Sequence, residues 1–176
     1  MESMGKRKSI KHMWLSSSAA FSISVACLLI SIAFWSDLIS IAGITAKESA
    51  NHVVTTIQSW KESDHSKGQY NDLLITCGNG NTYEIRYMLY EERKNEFNSV
   101  LAVGAQASIY TGFHSNRVME ISVNGHTVFP FDTGYPALLK ESIGYACLAV
   151  LLDLCGILLI IYGVIKMKKN KQRSLR

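Results

Sequence analysis

Two stretches of this sequence are too long and too apolar for an ordinary water-soluble helix, and they bound everything else the chain can do. Trp14 to Trp35 and Ile143 to Ile165 each run for about 22 residues nearly free of formal charge. At roughly 1.5 Å per residue, a helix of that length covers about 30 Å, the hydrocarbon thickness of a bilayer. Aromatic rings bracket both runs, Trp14 and Trp35 for the first and Tyr145 and Tyr162 for the second, as expected of groups that settle among headgroups. The reading is therefore a first span at residues 14–36 and a second at residues 142–165. Of 176 residues, 48% are hydrophobic, and the apolar residues are concentrated in these runs.

Orientation follows from the flanks, because basic residues beside a span resist translocation. Lys6, Arg7, Lys8 and Lys11 precede the first span, and Lys166, Lys168, Lys169, Lys171, Arg173 and Arg176 follow the second. Residues 1–13 and 166–176 are thus expected to be cytoplasmic basic tails, with residues 37–141 an extracytoplasmic domain in a multi-pass protein of the cell membrane. The formal net charge of +4 belongs to the tails, so it speaks for topology and attraction to lipid. No aromatic platform accompanies the lysines, and no nucleic-acid partner is expected. A competing expectation makes the first run a signal peptide cut after "SIA" at Ala42, although its apolar part exceeds the usual stretch of about 7 to 15 residues. Both put the middle of the chain outside the cytoplasm.

Between the spans, from about Ser49 to Phe131, the pattern changes to short β-like runs separated by turn residues. In "NDLLITCGNGNTYEIRYMLY", Asn79-Gly80 predicts a type I′ hairpin between a Leu/Ile-rich run and a strand placing Tyr83, Ile85, Tyr87 and Leu89 on one face. In "RVMEISVNGHTVFPF", Asn124-Gly125 predicts a second hairpin, with "QASIYTGF" a strand before it and "HSN" the connecting turn. "HVVTTIQSW" reads as a strand from its β-branched crowding, and "EERKNEFNSVLA" as a short helix leading to a strand that begins near Gly104. At least five short strands in consecutive hairpins predict a sheet that closes on itself to hide its edges. The expected fold is membrane α+β, with two transmembrane helices flanking a small, mainly β, OB-like barrel.

The order of a strand, an NG hairpin and then "VGAQASIYTGFHSNRVMEISVNG" resembles an uncharacterised group of small bacterial membrane proteins, in which one or two spans flank an extracytoplasmic β-module. The likeness covers about half the chain. Ala105-Gln106 and Gly112-Phe113 stand where that group more often has Asp with a polar residue, and Asp-Pro. The resemblance implies a membrane location and a β-module, and it lends no activity.

Motifs of chemistry are sparse. Cys27, Cys147 and Cys155 fall in the spans and Cys77 is alone in the outer domain, which is neither a disulfide framework nor a zinc site. His114 and His126 flank one hairpin, with Glu120 the nearest third ligand but no recognised metal spacing. "FDTGYP" contains the Asp-Thr-Gly of aspartic proteases, yet Tyr135 follows and the second span begins within about ten residues, so Asp132, Thr133 and Gly134 read as turn formers. No catalytic residues, cofactor or metal are expected.

The exception is Asp153, an acid in the middle of the second span. A carboxylate in lipid costs several kcal/mol, so Asp153 is expected to be protonated, paired or turned toward protein. It shares a helical face with Ala146, Ala149, Gly156 and Gly163, and the first span carries a matching stripe of Ser17, Ala20, Ser24, Cys27 and Ser31. Antiparallel packing would bring Ser24 to the depth of Asp153. Ser24, Asp153 and Gly156 are therefore the candidate helix-packing or partner-contact residues. The sequence points to a non-enzymatic, partner-binding or accessory envelope protein whose partners are the lipid bilayer and a membrane protein or second copy met through the spans. The alternative is a subunit of an oligomeric transport or proton-coupled assembly using Asp153.

Overall fold

The structure, a computed structural model, describes residues 16–63 and 71–174. The expectations for residues 1–13, Trp14 and His65 lie outside the described residues. In chain order the elements are α1 (Ser17–Ala42), a 3-10 turn (Lys47–Ser49), β1 (Asn51–Glu62), β2 (Leu73–Cys77), β3 (Thr82–Ile85), α2 (Tyr87–Tyr90), a second 3-10 turn (Glu91–Arg93), α3 (Lys94–Val100), β4 (Gln106–Thr111), β5 (Val118–Val123), β6 (His126–Phe129) and α4 (Phe131–Ser174). The chain forms two compact units. One takes residues up to Ile30 with those from Val150 on, and the other runs from Ser31 to Ala149.

The larger unit is built on a six-stranded antiparallel sheet of order β3-β2-β1-β4-β5-β6. β1 organises it, because 12 residues are enough to serve two neighbours in turn. Asn51 to Thr56 pair with β4, and Ile57 to Glu62 pair with β2, with an irregularity between Ile57 and Ser59. A bulge of this kind bends a strand and increases its twist. Alternate residues point inward, so Ile57, Ile75, Ile85, Ile109 and Ile121 form a fully buried core with Phe97 and Phe129. The rings of Tyr90, Phe97 and Phe129 follow one another at 5.7 and 6.2 Å, which brings α2 and α3 onto that core.

Five expectations need correction. The barrel does not close: the sheet is open, and β3 meets the segment before β5 only through one parallel bridge between Glu84 and Arg117. The first hairpin is not type I′, since Gly80 alone has positive φ (81°), and its N–H bonds back to the Cys77 carbonyl at 2.9 Å. At the second hairpin both Asn124 (51°) and Gly125 (81°) are left-handed, as a two-residue type I′ turn requires. The strand through Tyr83 stops at Ile85, because the Asp72 carboxylate accepts the Tyr87 N–H at 2.7 Å and the chain turns into α2. Finally, Asp132, Thr133 and Gly134 form the first turn of α4 rather than a loop. The cause lies in β5: the Glu120 carboxylate accepts the Phe131 N–H at 3.0 Å, supplying a side-chain cap from another element. β4, likewise, begins at Gln106, with Gly104 (φ 85°) in the turn before it.

At the outer end of β1, Glu62 accepts hydrogen bonds from Tyr90 (2.7 Å) and Asn71 (3.1 Å) and faces Lys94 at 2.7 Å. Lys94 first, then Tyr90 and Asn71, hold its carboxyl at about 2, below the ordinary 4.5. A carboxyl depressed on folding stabilises fully above its unfolded value and loses that contribution as pH falls toward its folded one. Glu62 is 37% exposed, so the contribution is screened. Glu62→Gln is expected to lower the melting temperature by about 2 °C at pH 7, a gap that narrows below about pH 4.5 and closes near pH 2 in thermal scans.

The smaller unit is a helix pair. Ala20 and Ser24 are buried on α1, and Gly156 and Gly163 on α4. Phe21 packs over Gly163, while Leu28 and the Ser24 carbonyl pack over Gly156, so α1 and α4 run antiparallel in this unit. Large apolar side chains point the other way: Leu29 (64% exposed), Leu151 (59%) and Leu158 (65%) are uncovered. A water-soluble helix pair does the reverse, hiding its large apolar groups. By length and composition, both α1 and α4 are able to cross a membrane.

Candidate functional site

The polar groups of the larger unit converge on Arg86, which ends β3. Its side chain donates through Nη1 to Asp72 (2.6 Å) and Glu84 (2.8 Å), and through Nε and Nη2 to both oxygens of Glu141 on α4. Asp72 is 2% exposed, Glu141 9% and Arg86 14%. Burial acts against the charge of the guanidinium. The hydrogen bonds it donates to Glu141 and Glu84 and the fields of Glu141 and Asp72 outweigh it and raise the pKa of Arg86. The forked, two-bond contact with Glu141 is the geometry that distinguishes arginine from lysine. Tyr145 donates to the same Glu141 at 2.9 Å.

A second pairing lies alongside. Asp37 on α1 accepts from Arg117 (2.9 Å) and from the buried Ser142 of α4 (2.8 Å). The Arg117 guanidinium lies over the Tyr145 ring at 5.9 Å, and Tyr145 stacks on Phe34 at 5.6 Å. These contacts fasten the sheet to the adjoining turns of α1 and α4 within this unit. A third focus is Glu120, which holds Lys47 at 2.6 Å as well as the α4 N-terminus, and its hydrogen bond raises the pKa of Lys47.

Beside Arg86 an open cleft of about 810 Å³ runs between α2 and the start of α4. Its walls include the apolar Met88, Leu89 and Ala137 together with the polar Arg86, Glu92, Lys140, Glu141 and Tyr145. Apolar walls with a few convergent polar groups are the general character of binding sites. Arg86 and Glu141 bind each other, which ties together the two elements that wall the cleft.

Of the sequence-predicted residues, the structure brings Ser24 and Gly156 together: the Ser24 hydroxyl donates to the Gly156 carbonyl at 2.9 Å in a buried contact. Asp153 is half-buried on α4, three residues earlier. Ser24→Ala removes the bond, worth about 1 kcal/mol between helices in lipid, and a matching fall in unfolding free energy in detergent is expected. His114 and His126 do not form a pair. His126 reaches Glu96 at 2.9 Å, and His114 (φ 53°) holds the turn after β4. Among the described residues, no group of three or more His, Cys, Asp or Glu is placed to hold a metal ion. Cys77 is buried, which raises its thiol pKa against a partial offset from Thr55.

The Arg86 and Asp37 clusters were not anticipated from sequence. Their partners are separated by 55 residues for Arg86 and Glu141 and by 105 for Asp37 and Ser142. The available signal was the placing of Asp37, Glu141 and Ser142 at the ends of the apolar runs that adjoin the central segment. Comparison with protein-family models, curated proteins and solved structures finds no match to the chain.

Proposed function

We propose that this chain is a two-pass membrane protein with both termini in the cytoplasm, and that residues 37–141 form an extracytoplasmic domain that binds a protein partner at the Arg86 cleft. The observation that carries the membrane reading is the inside-out helix pair, with Ser24 and Gly156 in its seam and Leu29, Leu151 and Leu158 uncovered. Basic residues are concentrated on the terminal flanks, four before the first run and six after the second, against Lys140 alone beside a run on the other flank, which supports the orientation. The strand connectivity supports an incompletely closed, OB-like sheet: β1 is shared by β2 and β4, and β3 reaches toward β5 by a parallel bridge. Fold alone assigns no function, so the partner role rests on the cleft. A photoreactive residue at Lys140, on the cleft wall, is expected to form an adduct with another polypeptide in native membranes. Recovery of the unmodified monomer alone would overturn the partner role.

A second reading, an oligomeric transport or proton-coupled assembly, draws on the half-buried Asp153 beside the helix seam. Asp153→Asn keeps hydrogen bonding and loses the ionisable proton, whereas Asp153→Leu loses both. The partner-binding reading predicts that the Asn variant assembles and functions as the parent does. Loss of function at unchanged assembly in Asn would favour proton chemistry.

A further inference from the structure

We infer that the turn after β4, residues 112–115, is a foot that rests in the headgroup layer of the extracytoplasmic leaflet; this rests on the membrane reading above. Two contacts hold this stretch along the outer end of α1: the Phe113 N–H donates to the Ser40 carbonyl at 3.2 Å, and Arg117 pairs with Asp37 at 2.9 Å. Gly112 makes the approach close, since a Cβ there would stand 3.1 Å from the Ser40 oxygen. The turn is set by His114 in the left-handed region, and it leaves Phe113 45% exposed, while Phe97 and Phe129 in the same unit are fully buried. Ile39, beside Ser40 in sequence, is 69% exposed.

Depth follows from helix geometry. At about 1.5 Å per residue, Ser40 lies roughly 6 Å beyond residue 36, where the first span is expected to leave the hydrocarbon. The headgroup layer on each side is about 5–8 Å thick, the difference between a bilayer of roughly 40–45 Å and its core of about 30 Å. Phe113 and Ile39 thus fall in the layer where side chains with apolar bodies settle. Continuity with the span is what selects lipid over water or protein as the neighbour of this patch.

The test places the photoreactive ring of benzoylphenylalanine at Phe113, at Leu151 and at Val103 of the full chain, in phosphatidylcholine vesicles containing phosphatidylglycerol. Leu151 faces out of the apolar run, and Val103 is 72% exposed at the opposite end of β4. The lipid adduct at position 113 is expected to come within about threefold of that at 151 and to exceed that at 103 about tenfold, because the strand separates the two ends by roughly 20 Å. A lipid adduct at 151 with none at 113, or a protein adduct at 113, overturns the foot and leaves the span standing. No lipid adduct at 151 overturns the membrane reading and the foot with it.

Discussion

Arg86→Met is expected to destabilise the sheet unit by about 3–5 kcal/mol, the cost of leaving buried charge without its partner. Asp72, at 2% exposure, and Glu141, at 9%, both depend on the guanidinium. Removing it strands two carboxylates near each other in a poorly hydrated place, and each must take up a proton or draw in water. Arg86→Lys restores the charge but not the fork, since one ammonium cannot span both oxygens of Glu141 while reaching Asp72 and Glu84, and it is expected to fall between the two. Adding Glu141→Met to Arg86→Met should recover part of the loss. Denaturant unfolding of the detergent-solubilised chain reads all three. An Arg86→Met variant as stable as the parent would mean that the cluster is hydrated and that the cleft is not held by it.

Gly134→Ala is expected to be as damaging, for a steric reason. A Cβ at position 134 would lie 1.9 Å from the Met119 carbonyl oxygen, 2.6 Å from its carbon and 2.8 Å from the Phe129 ring. Two of these atoms belong to the backbone of β5, so no rotamer change relieves the overlap, and the first turn of α4 must move away from the sheet. That displacement pulls on the Glu120 cap of Phe131 and on the small core of Ile41, Ile44, Met119, Phe131 and Leu138. A loss of about 3 kcal/mol or more, with a melting temperature lower by roughly 6–12 °C, is the expected result. Ala tolerated at 134 without change in stability would contradict the close seating of α4 on β5.

These two positions mark where the sequence was legible and where it was not. Asn124-Gly125 announced its hairpin because two adjacent left-handed residues are a local demand that few residue types meet. The β-branched run of β1 and the polar-then-apolar run of α3 were equally local, and the helices declared themselves by length. Gly134 was hidden inside Asp-Thr-Gly, where turn chemistry and a helical first turn ask for the same residues. The difference is made by Glu120, eleven residues before Phe131 on a neighbouring strand. Barrel closure depended on whether β3 and β5 pair along their length, a long-range register that no alternation pattern encodes. The Arg86 cluster was invisible because its charges resemble solvated surface charges until the fold buries them. Small-residue spacing marked the helix faces on which Ser24 and Gly156 meet, but it set Ser24 against Asp153, whereas the Ser24 hydroxyl donates to the Gly156 carbonyl.

The proposed topology has two spans crossing a bilayer, with residues 37–141 on the side away from both termini. Buried Cys77 is a poor reporter of this, so the direct measurement uses Val103→Cys and Lys169→Cys, both at exposed positions, with a membrane-impermeant thiol reagent on intact cells. Position 103 is expected to be labelled at once, and position 169 only after the membrane is permeabilised. Labelling of 169 with protection of 103, or equal labelling of both before permeabilisation, would contradict it.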